Sequence, residues 1–155
     1  PAELSPGELA HLVRVAVEQQ RATVIIIDSL NGYLQSMPDD RLLLVQMHEL
    51  LAYLSHYGVC TILVMAQHGL VGTMQSPTDV SYVADTVLLL RYFEAEGRIR
   101  KAISVMKRRS GVHETAIREL VFRPGGVTVG EPLTEFVGVL TGVPRFIGKS
   151  NDLDR

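Results

Sequence analysis

Thr23-Val24-Ile25-Ile26-Ile27-Asp28-Ser29-Leu30 is the stretch on which the fold turns. β-Branched residues run without interruption from Thr23 to Ile27 and end on a carboxylate. Such a run is too short for a helix and predicts a strand apolar on both faces, the environment of a parallel sheet. Upstream, Leu9, Leu12, Val13, Ala16 and Val17 keep helical spacing over 5–20. Ser5 with Glu8 forms a capping box there, and Pro6 suits the first turn. Downstream, Asp39 caps a second helix to about Tyr57, with the stripe Leu43, Met47, Leu50, Leu51 and Leu54. Gly58 supplies its left-handed end. A second buried strand is predicted over 59–65, a mobile loop over 67–77, and a third buried strand over 86–90 behind Asp85.

Beyond Leu90 the pattern alternates. Glu96-Gly97 predicts a hairpin turn into a strand over 98–107, and shorter strands follow over 117–122 and 126–129. Alternating helix and parallel strand followed by an antiparallel extension define an α/β sheet with an antiparallel edge. The 155 residues, 46% hydrophobic, suit one domain, with 148–155 as a flexible tail. A net charge of −2 sets up no field for nucleic acid or acidic membranes. The single cysteine, Cys60, excludes an internal disulfide and favours a reducing compartment. No signal peptide or spanning run is visible, so a cytoplasmic location is expected. Because the chain opens on Pro1, it reads as a piece of something longer.

Two constellations could carry chemistry. Asp28 ends its strand where ligands bind in open α/β sheets, and an apolar strand closing on Asp-Ser is the Walker B pattern. That carboxylate would hold Mg²⁺, directly or through water; its other reading is a turn or helix-capping residue. Ser29 would lie in the outer sphere of the ion or simply lead into a helix. The second constellation is Lys107-Arg108-Arg109-Ser110-Gly111-Val112-His113. On a strand Lys107 and Arg109 share a face and Arg108 takes the other. Together with His113 they form a clamp for phosphate oxygens, or else a solvated rim. Gln67, at a strand end, is a further candidate for sensing phosphate; the alternative is a polar turn.

Several of these segments, in order and spacing, resemble KaiC-like ATPase domains of the RecA superfamily. They are Asp28-Ser29-Leu30, Gly58-Val59-Cys60-Thr61, Ala84-Asp85-Thr86-Val87, the 107–113 segment, and the tail Gly130-Glu131-Pro132-Leu133 with Gly138-Val139-Leu140-Thr141-Gly142-Val143-Pro144. The resemblance covers about 9–147. It implies a RecA-like, mostly parallel sheet flanked by helices with a C-terminal antiparallel extension. It also implies ATP and Mg²⁺ as cofactors, and a ring with nucleotide between neighbours. By it Asp28 acts in cis, while Lys107, Arg109 and His113 form the catalytic clamp on the neighbour's γ-phosphate. From their positions alone, Ser29 and Gln67 are the candidates for the nucleotide side.

The family's phosphate-binding loop and catalytic glutamate pair belong upstream of Leu9 and are not in this sequence, so the core is expected to be incomplete. Gly142 to Ser150 imitates the loop but has five residues between its glycines where the working loop has four. The parent is therefore expected to be an ATPase, with autophosphorylation left open, and this chain alone is not expected to be catalytic. Self-association is expected, as a dimer of this chain or a ring of the parent, with a signalling protein as a further partner. An alternative is a naturally loop-less KaiC-like regulatory or interaction module. Lesser ones are a nucleic-acid-associated RecA paralogue, disfavoured by the charge balance, and a phosphoacceptor receiver domain on Asp28.

Overall fold

The computed structural model describes residues 4–34, 40–66, 83–141 and 143–148. They form two compact units, one built on 4–66 and one on 84–148.

In the first unit, helix α1 (Pro6–Glu18) starts at the expected box: Glu8 N–H donates to Ser5 Oγ at 3.3 Å, and Ser5 N–H to Glu8 Oε2 at 2.8 Å. The Ser5 hydroxyl, donating to Glu8 Oε2 at 2.7 Å, and then the Ser5 N–H draw the Glu8 carboxyl below its ordinary range. Strand β1 (Val24–Asp28) is followed by a short helix, α2 (Leu30–Leu34), which the sequence pattern does not announce, then by α3 (Asp40–His56) and β2 (Cys60–Val64). Asp39, the expected cap, lies outside the described residues. The end of α3 is a Schellman motif: Val59 N–H donates to Leu54 O, Gly58 N–H donates to Ser55 O, and Gly58 has φ +68.

Strands β1 and β2 pair in parallel, Val24 opposite Cys60 through Asp28 opposite Val64. Val13 and Val17 from α1 meet Leu50, Leu54 and Val59, with Ile25 against them. Ile27, Leu30, Tyr33, Leu43 and Met47 form an adjoining cluster. Tyr53 of α3 donates to Glu18 of α1 at 2.8 Å; half-burial, then that bond, push its hydroxyl up to about 12. The helices cover one face of the pair. The other carries Val24, Ile26, Ile62 and Val64, all exposed. The expectation of strands buried on both faces is thus corrected, because among the described residues no layer covers the second face.

In the second unit β3 (Thr86–Ala95), β4 (Arg98–Arg108), β5 (Arg118–Arg123) and β6 (Gly126–Pro132) form an antiparallel sheet in that order. Glu96 and Gly97 both have positive φ, as a two-residue hairpin turn matched to strand twist requires. Phe93, Ala95 and Ala102 pack with Val139, Leu133 and Phe136 on one face. Val139 lies in a 3₁₀ turn (Val139–Thr141) between the short strands β7 (Phe136–Val137) and β8 (Arg145–Phe146). The opposite face exposes Leu88, Leu90, Tyr92, Ile99, Phe122, Val127 and Val129. The third predicted buried strand is therefore an antiparallel strand with one face in water. Parallel pairing is confined to β1–β2 among the described residues, which form an α/β arrangement but no complete parallel core. The loop imitation at 142–150 holds β8 in its described part.

Candidate functional site

Asp28 is the last residue of β1 and is exposed at the C-terminal end of the parallel pair. What fixes that end is Asn31, one residue into α2. Its Nδ2 donates to Ala66 O and its Oδ1 accepts from Ala66 N–H, both at 2.8 Å. The amide thereby stands in for a missing strand partner just past β2 and holds the exits of β1 and β2 together beside Asp28. The sequence reading missed Asn31; an amide right after a strand's carboxylate was the available signal. Ser29, half-buried, precedes α2, and its carbonyl accepts from Gly32 N–H at 3.2 Å. Gln67 lies outside the described residues, next to the pinned Ala66.

The basic constellation lies in the second unit, at the open end of the β3–β4 ladder. The register slips there: Leu88 faces Val105, but Val87 faces Lys107, leaving Met106 as an extra residue. A bulge of this kind re-aims the residues after it. It puts Lys107 opposite Val87 and Arg108 opposite Thr86, and Arg109 N–H donates to Asp85 O at 2.7 Å. Lys107 and Arg109 thus alternate with Arg108 as strand geometry requires. The adjacent apolar pair Val105-Met106, which breaks the alternation, was the signal for the slip.

Arg108 is engaged within its own loop. Its Nη1 donates to Val112 O at 3.1 Å, closing the loop that follows β4. The Arg109 guanidinium lies 2.9 Å from the Asp85 carboxylate. His113, half-buried, is followed by Glu114, which accepts from Ala116 N–H at 3.0 Å and from Arg118. The amide bond first, and Arg118 next, draw the Glu114 carboxyl below its ordinary range. Arg118 also donates to Gly130 O at 3.2 Å, so the return of the loop past His113 is tied to β5 and β6. The reading of the sequence missed Asp85 as a partner and Glu114 as an anchor. Asp28 and Ser29 belong to one unit, and Lys107, Arg109 and His113 to the other.

Among the described residues no three potential ligands cluster as a metal site. A lone exposed carboxylate nonetheless suits Mg²⁺, which takes one or two carboxylates and completes its sphere with water and phosphate oxygens.

The described residues thus place a carboxylate at a parallel strand's exit in one unit and a basic loop at a sheet's open end in the other. The profile of the family described as "ATPase: KaiC" matches residues 2–134, and the chain belongs to that family. Circadian clock protein KaiC3 of Synechocystis sp. is 33% identical over 79 residues, 51% of this chain and 16% of that protein. Circadian clock oscillator protein KaiC of Thermostichus vulcanus is 37% identical over 65 residues, 42% of this chain and 12% of that protein. The KaiC of Prochlorococcus marinus strain SARG is 32% identical over 74 residues, 48% of this chain and 15% of that protein. The aligned part is thus a small share of each relative's length.

Proposed function

We propose that this chain is the C-terminal part of a KaiC-type ATP-binding ATPase domain, with Asp28 as the Mg²⁺-linked carboxylate. In the same reading Lys107, Arg109 and His113 are a clamp for the γ-phosphate of nucleotide held by a neighbouring subunit. The observation that carries this is the placement of Asp28, exposed at the end of a parallel strand whose exit is pinned by Asn31. Arg108 and Glu114 shape the clamp loop without entering it. Bound Mg-ATP would supply the reactive phosphoryl group; the residues here orient it and neutralise its charge. Ser29 is proposed to lie in the outer sphere of the ion and Gln67 on the nucleotide side.

The test is complementation. In the protein carrying the whole family domain, Asp28→Asn and Arg109→Ala should each remove most Mg²⁺-dependent ATP hydrolysis. A mixture of the two should regain part of it at interfaces that pair an intact Asp28 with an intact Arg109. Failure at every mixing ratio would sink the trans assignment, and near-normal turnover of Asp28→Asn would sink the metal role.

The second reading is a regulatory or interaction module that lends its clamp to a partner's nucleotide. It draws on the same basic loop at the open end of the β3–β4 ladder. The open reading frame around Pro1 distinguishes the two.

A further inference from the structure

We propose that Asp85 is the resident counter-ion of Arg109, and that an oligophosphate enters the clamp by exchange against this carboxylate. The inference deepens the reading of Arg109 as a phosphate-binding group and rests on it. Arg109 N–H donates to Asp85 O at 2.7 Å, which extends the β3–β4 ladder one position past Thr86–Arg108. Backbone pairing thus sets the two side chains side by side at the same sheet end. Nη1 of Arg109 then meets Oδ1 of Asp85 at 2.9 Å. Aspartate is short, so its reach is set by the strand rather than by a flexible stem.

The pair is open to water: the side chains are 60% and 75% exposed. Exposed pairs are weak, because solvent screens them and both side chains lose freedom. A weak resident partner suits an exchange site. It keeps the guanidinium at the clamp position and yields to a ligand with more charge. A triphosphate chain brings several charges and several acceptors to a guanidinium with five donors. A monocarboxylate replaces like with like and gains little. Asp85 thereby favours oligophosphates over single anions. Arg108, occupied by the Val112 carbonyl, takes no part in the exchange.

The experiment is an NMR titration of the protein with inorganic tripolyphosphate at constant ionic strength, following the backbone amides of Ser110, Gly111 and His113. Asp85→Asn and Asp85→Ser both keep the backbone bond. Each is expected to tighten binding about threefold to fivefold, the weight of an exposed ion pair. Arg109→Gln is expected to weaken binding, and adding Asp85→Asn to it should change nothing further. If either Asp85 variant leaves the affinity unchanged or weakens it, the exchange is overturned. It is equally overturned if Asp85→Asn tightens binding as much without Arg109, since the effect is then a general change of field. If Arg109→Gln itself leaves binding unchanged, the clamp reading falls and the exchange with it.

Discussion

Arg100 ties β4 to β5 within the second unit. Its Nε and Nη2 donate to the two carboxylate oxygens of Glu119 at 2.8 and 2.7 Å, and its guanidinium lies over Phe93 and Phe136. Both side chains are about a quarter exposed, so water screens the pair less than it screens Arg109 and Asp85. The Arg100 bonds hold the Glu119 carboxyl below its ordinary range, against the opposing effect of burial. Glu119→Gln is expected to cost about 1.5–3 kcal/mol in urea unfolding near neutral pH, the usual weight of charge-assisted hydrogen bonds. A carboxylate with a depressed folded-state pKa stabilises fully above its unfolded value, about 4.3, and ceases to do so as pH falls through the folded value. The gap between wild type and variant should therefore narrow below about pH 4. A gap of the same size at strongly acidic pH would mean that charge is not its source. None of this was legible beforehand, because nothing in the string says that Arg100 and Glu119 share a sheet face.

At the scale of elements, the sequence was most readable where local rules dominate. The box at Ser5 and Glu8, the α3 stripe and the Glu96-Gly97 turn are set by neighbours within a few residues, and all three are present. Gly58 gives a direct check. Its φ of +68 is the left-handed cap of α3, and a Cβ there would meet no atom within 4 Å. Gly58→Ala should therefore cost about 1 kcal/mol through backbone conformation alone. Gly7, in the first turn of α1, also has open space around it, and its φ lies outside the left-handed region. Gly7→Ala is expected to be neutral or stabilising by up to about 1 kcal/mol. Thermal unfolding of the pair checks both; equal shifts would contradict the cap argument. Helix α2 went unseen because so short a helix shows no periodicity, and the Met106 slip because a bulge is a property of two strands rather than one.

For the whole molecule, the apolar faces left in water decide what to expect. Leu88, Leu90, Tyr92, Ile99, Phe122, Val127 and Val129 face solvent from one sheet, and Val24, Ile26, Ile62 and Val64 from the other. The larger face carries seven exposed large apolar side chains, the kind of surface that marks an association site. The chain is therefore expected to self-associate at low micromolar concentration, and a monodisperse monomer in sedimentation would count against this. Affinity for Mg-ATP should be far weaker than micromolar. That level needs about 8 kcal/mol, and the sequence contains no phosphate-cradling loop to supply it. A calorimetric dissociation constant in the micromolar range would refute the expectation. Among the described residues no helix is long and apolar enough to cross a membrane.

The sequence by itself determined the family, the main strands and the α1 and α3 helices, and the identity of the acidic and basic candidates. The strands and helices follow from periodicity and spacing, and the family from the resemblance of particular segments to KaiC-like domains, all of them properties of the chain read in order. Tertiary structure alone decided that Asn31 clasps Ala66, that a slip at Met106 re-aims Lys107 and Arg109, and that Asp85 meets the guanidinium. It also decided which strand faces lie in water. Each depends on residues distant in the chain being brought to one register, and pairing across strands leaves no trace in the order of residues along either one.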